Sequence, residues 1–184
     1  IYLQKYKYST LYFNNIYSGL PGDLINADFY WPEAKNIKNG NGNGKIEEEF
    51  DENLAYWKQL QLAGLVSVRY DFLGSWSENY EGKVLLPGIN VAGDKKLGTA
   101  FNAKFNDDLN ANILVYGKTN YKAGALNGAT LSPNAAFKLD LMIDDGFPES
   151  GDLTARQNDD SECFIAGEYK EEEILIEFIM QFKI

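Results

Sequence analysis

The stretch Tyr12-Phe-Asn-Asn-Ile-Tyr-Ser-Gly-Leu-Pro-Gly-Asp23 decides how the rest of the chain is read, because it closes a helix. Upstream, Tyr2, Tyr6, Ser9, Phe13, Tyr17 and Leu20 recur at three- and four-residue steps, the spacing of one helical face. Ile1, Tyr8 and Tyr12 widen that face, while Gln4, Lys5, Lys7 and Asn14 lie elsewhere. Gly19, Pro21 and Gly22 then stop the helix, since Pro has no N–H to donate and Gly accepts a left-handed turn. The sequence opens on Ile1 in mid-pattern, with no initiator Met and no cap, so the expectation is that an earlier part of this helix has been removed.

With 184 residues and 45% hydrophobic content, the chain can bury one good core and reads as a single domain. A net charge of -10 argues against nucleic acid and against an anionic membrane surface, because both would be repelled. The chain has no His, which removes Ser-His and Cys-His nucleophilic schemes along with the commonest general base at neutral pH. Cys163 is the lone cysteine, so an internal disulfide and a Cys/His zinc site are both excluded.

Downstream, Ile46 to about Ala63 reads as a second helix. Glu47, Glu48 and Glu49 suit its positive end, Phe50, Leu54, Trp57 and Gln61 share a face, and Gly64 stops it. Leu65–Tyr70, Lys83–Leu86 and Asn112–Tyr116 read as short strands, with Phe101–Phe105 a weaker one. Ser132-Pro133 opens a third helix, with Ser as N-cap and Pro at the first helical position; Ala136, Leu139 and Ile143 form its stripe, and Gly146 and Pro148 end it. From Ile174 to Ile184 the residues alternate as in a strand with one apolar face. The order predicts an α+β domain with an antiparallel sheet.

The loop Asn39-Gly-Asn-Gly-Asn-Gly-Lys-Ile46 offers side-chain oxygens at Asn39, Asn41 and Asn43, then Gly44 and a backbone carbonyl at Lys45. That is the spacing of the first eight positions of an EF-hand loop, and a cation held here, with Glu49 nearby, would be calcium. The ligand positions are neutral Asn, and Phe50 stands where a bidentate Glu is needed, so binding would be weak. The competing reading, which the neutral ligands favour, is a Gly/Asn turn anchored by Ile46. Asp144-Asp145 face the negative end of a helix dipole, which a cation or a Lys would offset; the favoured reading is that both are solvated, one of them bonding in the turn around Gly146. The Asp159-Asp160/Glu162 cluster reads as a solvated loop. A paired-carboxylate glycosidase is the weakest reading, because almost any acidic domain offers such pairs. Trp57 reads as core, and Trp76, in Leu73-Gly-Ser-Trp-Ser77, as either an exposed recognition aromatic or a residue packed on the sheet.

In order and spacing, the chain resembles type IV pilin-like proteins, including the pseudopilins of type II secretion. The resemblance is carried by Phe13-x-x-x-Tyr17-x-x-Leu20-Pro21-Gly22-Asp23 with Ala27 and Trp31, by Gly40–Ile46, and by Trp57–Leu65. Leu86–Val91, Leu131–Ala136 with Leu139-Asp140, Ile143–Pro148 with Ser150-Gly151, and Phe182-Lys183-Ile184 continue it. It implies a pilin-like α+β fold, in which a long N-terminal helix, here truncated, packs on an antiparallel sheet with additional short helices. Residues 1–20 would be the C-terminal half of that helix and 21–184 the globular head. The missing half would follow a prepilin-peptidase site, span the inner membrane before assembly and then pack in a filament core. Two departures stand out: Cys163 has no partner for the C-terminal disulfide common in such proteins, and acidic ligands are not seen at positions matching the calcium loop of related pseudopilins.

The leading expectation is therefore a non-enzymatic structural subunit of a pilus or secretion pseudopilus. It would lie in the cell envelope, periplasmic or extracellular, with other pilin or pseudopilin subunits as partners and no nucleic acid. Tyr2, Tyr6, Phe13 and Tyr17 would form the seam between helix and sheet. The alternative is an extracellular aromatic-rich module that recognises glycan or protein through Trp76.

Overall fold

A computed structural model describes residues 2–34, 37–67, 91–94, 97–120, 125–128, 130–156, 164–165, 167–169 and 179–184. The first helix, α1, runs Tyr2–Tyr17. It stops one residue before the glycine, at Ser18, which takes a left-handed conformation (φ 54°) while its N–H still bonds Asn14 at 2.8 Å. The buried stripe is Leu3, Tyr6, Thr10, Phe13 and half-buried Tyr17, an unbroken run of three- and four-residue steps, with Ser9 at its margin. That registration turns Tyr2, Tyr8 and Tyr12 outward, so the wider face read from the sequence is too generous.

A single turn, α2 (Ala27–Tyr30), follows, then the Gly/Asn loop, then α3 (Glu52–Leu62). The helix expected from Ile46 starts six residues late, and the cause is tertiary. Ile46 is fully buried, its N–H donates to Asn112 Oδ1 at 2.9 Å, and its carbonyl accepts from Phe105 N at 2.7 Å. Tied sideways to the sheet, these backbone groups cannot also close helical turns. Phe50 is consequently exposed, whereas Leu54, Tyr56, Trp57 and Leu60 are buried. Gly64 ends the element as expected, at φ 72°.

The strands are β1 (Gly93–Asp94), β2 (Thr99–Asn106), β3 (Ala111–Asn120), β4 (Ala125–Gly128), β5 (Leu153–Arg156), β6 (Phe164–Ile165), β7 (Glu168–Tyr169) and β8 (Ile179–Lys183). β2 and β3 form a hairpin whose register runs from Thr99↔Lys118 to Asn106↔Ala111, with Asn110 left-handed in the turn (φ 46°). The main sheet has the order β1-β2-β3-β8-β5, with β4 also on β3, and every pairing is antiparallel. The fold is thus α+β with an antiparallel sheet. Among the expected strands, Leu65–Ser67 is not a strand, and 68–70, 83–86 and 174–178 lie outside the described residues, as do Trp76 and Cys163.

The third predicted helix stands as α4, Pro133–Ile143, with Ser132 Oγ accepting from Ala135 N at 3.3 Å. It lies against β5 and β7. Between α1, α3 and β2 the core is aromatic: the Tyr6 ring meets Trp57 at 5.0 Å and Phe101 at 5.3 Å, both edge-on.

Candidate functional site

Three places concentrate chemistry: the joint below α1, the acidic end of α4, and the outer face of α1. At the joint, Pro21 through Leu24 are buried beneath the start of α3. Gly22 has φ 91° and lies so close to α3 that a Cβ there would run into the carbonyl oxygen of Glu52. Its N–H donates to Gln59 Oε1 at 2.7 Å, and Gln59 Nε2 donates onward to the Lys38 carbonyl at 3.0 Å. Helix end, loop and α3 are joined through that one buried amide.

The Gly/Asn loop folds around an acid of the protein itself. Asp23, 3% exposed, accepts N–H bonds from Gly42 (2.6 Å) and Asn43 (3.1 Å) on one oxygen and from Gly44 (2.7 Å) on the other. Successive N–H groups converging on one carboxylate form an anion-binding nest. Glu52 is held likewise, by Asn41 N at 3.0 Å and Glu47 N at 2.9 Å. Burial pushes both carboxyls above their ordinary range; the N–H bonds oppose this, and nearby acids, Glu47 among them, add to it.

The expected calcium ligands have other partners here. Asn39 Oδ1 accepts from Asp28 N (3.0 Å), Asn41 Oδ1 from Asn43 N (3.0 Å) and Asn43 Oδ1 from Lys45 N (2.8 Å). The amides of Asn41 and Asn43 both donate to Glu47 Oε2 at 2.7 Å. Glu49 is exposed, and the Lys45 ammonium lies over the Phe105 ring at 4.0 Å. The competing reading of the loop, a turn anchored by Ile46, matches this arrangement, and Asp23 and Glu52 are the residues that sequence reasoning missed. Asp23 sits beside the helix stop and Glu52 just beyond the acidic run, and nothing local marks either as buried.

At the end of α4, Asp140, Asp144 and Asp145 bring one oxygen each within 4.8 Å of the others, close enough for a shared cation. All three are also engaged internally. Buried Asp140 accepts from Tyr169 Oη at 2.8 Å and Gly146 N at 3.2 Å, and burial raises its pKa. Asp144 accepts from the N–H groups of Asp152 and Leu153, and Asp145 from Ser150 Oγ at 2.6 Å and Phe147 N at 2.9 Å. Those last two bonds hold Asp145 below the usual carboxylate range, which makes it a poor base for the serine beside it.

The third place is α1 itself. Of the expected seam, Phe13 is fully buried, Tyr6 is buried, and Tyr17 packs against Phe13 (4.5 Å), Trp31 (5.1 Å) and Tyr30 (4.9 Å). Tyr2 is 67% exposed and does not belong to it. The inner partners of α1 are largely helical: Thr10 Oγ1 lies 2.5 Å from Tyr56 Oη on α3, and among the described residues Tyr6 is the one that reaches a ring of the sheet, Phe101. On the opposite face Tyr8, Leu11, Tyr12 and Ile16 are exposed, Tyr8 by 69% and Tyr12 by 58%. A shallow groove of about 570 Å³ runs along that face between Lys5, Tyr8, Leu11, Tyr12, Asn15 and Leu65. Among the described residues no helix is long and apolar enough to cross a membrane. Comparison with protein-family models, curated proteins and solved structures finds no match.

Proposed function

We propose that this chain is the head of a filament subunit of the type IV pilin or secretion-pseudopilin kind, acting by assembly and not by catalysis. The observation that supports the reading best is that α1 carries large apolar side chains on its outer as well as its inner side, the outer ones alongside Lys5 and Asn15. Leu3, Tyr6 and Phe13 are consumed by the domain's own core, while Tyr8, Leu11, Tyr12 and Ile16 face outward. A surface helix ordinarily turns a polar face to water. One with a second apolar stripe is suited to lie against another element, and contiguous exposed apolar surface of this kind marks interaction sites.

The joint fits the same reading. Gly22, Gln59, Asp23 and the loop fasten the lower end of α1 to α3, so that a pull on the helix is passed to the head. In this proposal an apolar helical segment precedes Ile1, anchors the precursor in the inner membrane and then enters the filament core, with the head in the periplasm or outside the cell. The mature N-terminus of the full-length protein, read by mass spectrometry, tests it. An apolar run retained directly behind the processing site supports the proposal; removal of that run by ordinary signal cleavage contradicts it.

A further inference from the structure

The end of α4 carries an exposed apolar patch of its own. Leu141 and Met142 on the last turn and Phe147 beyond the Gly146 bend are each more than half exposed. Asp144, Asp145, Glu149 and Asp152 stand among and around them in the chain. The outer face of α1 has the opposite sign, since it carries Lys5 and residues 1–22 include no acid.

At net charge -10, copies of this chain repel one another at a distance, so self-association needs a contact whose local charges are complementary. The two patches supply one. We propose that the α4 end of one copy receives the outer face of α1 from the next. Leu141, Met142 and Phe147 then lie against Tyr8, Leu11 and Tyr12, with Lys5 facing Glu149. The inference rests on the filament reading above and names its partner surface: a second copy of this chain.

Lys7 is engaged by Asp152 within its own copy at 2.8 Å. Lys5 is exposed and forms no ion pair with a described residue, which makes it the cation available to a neighbour. Because the two patches differ, their contact is heterologous and adds copies head to tail. The Lys7–Asp152 pair also sets the α4–β5 turn beside α1, so a closed dimer is the other way such patches could meet.

The test uses the 184-residue chain, cross-linked at rising concentration and followed by sedimentation velocity. Wild type should give a ladder beyond dimer. Lys5→Glu and Glu149→Lys should each weaken association about fivefold, as expected for loss of one interfacial ion pair. Mixing the two variants should restore it, since the two reversed charges then face each other with opposite sign across the contact. Circular dichroism confirms that the exposed substitutions leave the fold intact.

A ladder unmoved by either reversal, or one that ends at dimer, overturns the contact. So does an absence of any ladder while the full-length protein still forms fibres, and in that case the filament reading survives. Absence of fibres from the full-length protein overturns both.

Discussion

Asp23 is nearly inaccessible to water and yet is held by three backbone N–H groups from one loop. Replacing it with Ala leaves those donors to find water, and Asp23→Ala is predicted to lower stability by about 2 kcal/mol in urea titration. Gly22→Ala is predicted to cost more than an ordinary surface change, about 2–4 kcal/mol, because it combines a positive φ with a Cβ driven into the Glu52 carbonyl. Both effects should appear as a lower denaturation midpoint. Asp140 adds a pH dependence. A carboxyl with a raised folded pKa binds its proton more tightly in the fold, so it favours the fold in acid. That contribution fades as pH climbs from the unfolded value, 3.8, through the folded one. Relative to Asp140→Asn, which cannot titrate, wild type should therefore lose stability as pH rises from 3.8 towards neutral. A flat difference across that range would show that burial does not govern this group.

At the level of elements, the two faces of α1 should separate stability from assembly. Phe13→Ala empties a fully buried site and is expected to cost about 3–5 kcal/mol, read as a shift in thermal or urea midpoint. Tyr12→Ala removes an exposed ring and should leave stability within about 0.5 kcal/mol of wild type. If assembly runs through this face, the same change should weaken self-association. The sequence showed local signals well. Ser132-Pro133, the Gly64 stop and the α1 terminus each carry their cause within a few residues, and the structure has all three close to the expected place. It was mute where a distant residue decides. The segment after Ile46 reads as helix, but its backbone is claimed by Asn112, sixty-six positions away. The Asn-rich loop reads as a turn more readily than as a set of metal ligands, but nothing in it shows that Asp23 lies at its centre. Tyr2 and Phe13 look equivalent in spacing, and only the packing of Leu3 and Thr10 shows which side of the stripe is inside.

For the whole molecule, the structure shows helices packed with an antiparallel sheet and large apolar side chains left exposed on α1, which in the proposed function serve a repeating subunit. The chain has no His, so a Ser-His or Cys-His pair cannot be built from it. The acid load works against casual aggregation and leaves association to the few places where charge is locally reversed. Calcium is a separable question. If the Asn loop or the α4 acids take it up, millimolar calcium should raise the melting midpoint relative to chelator. An unchanged midpoint would mean that these carboxylates are satisfied by the protein alone. The proposed function requires assembly, and immunogold electron microscopy of cells producing the full-length protein tests that most directly. Gold along fibres, lost in the Tyr12→Ala variant, is the predicted result; gold only on dispersed single molecules would contradict it.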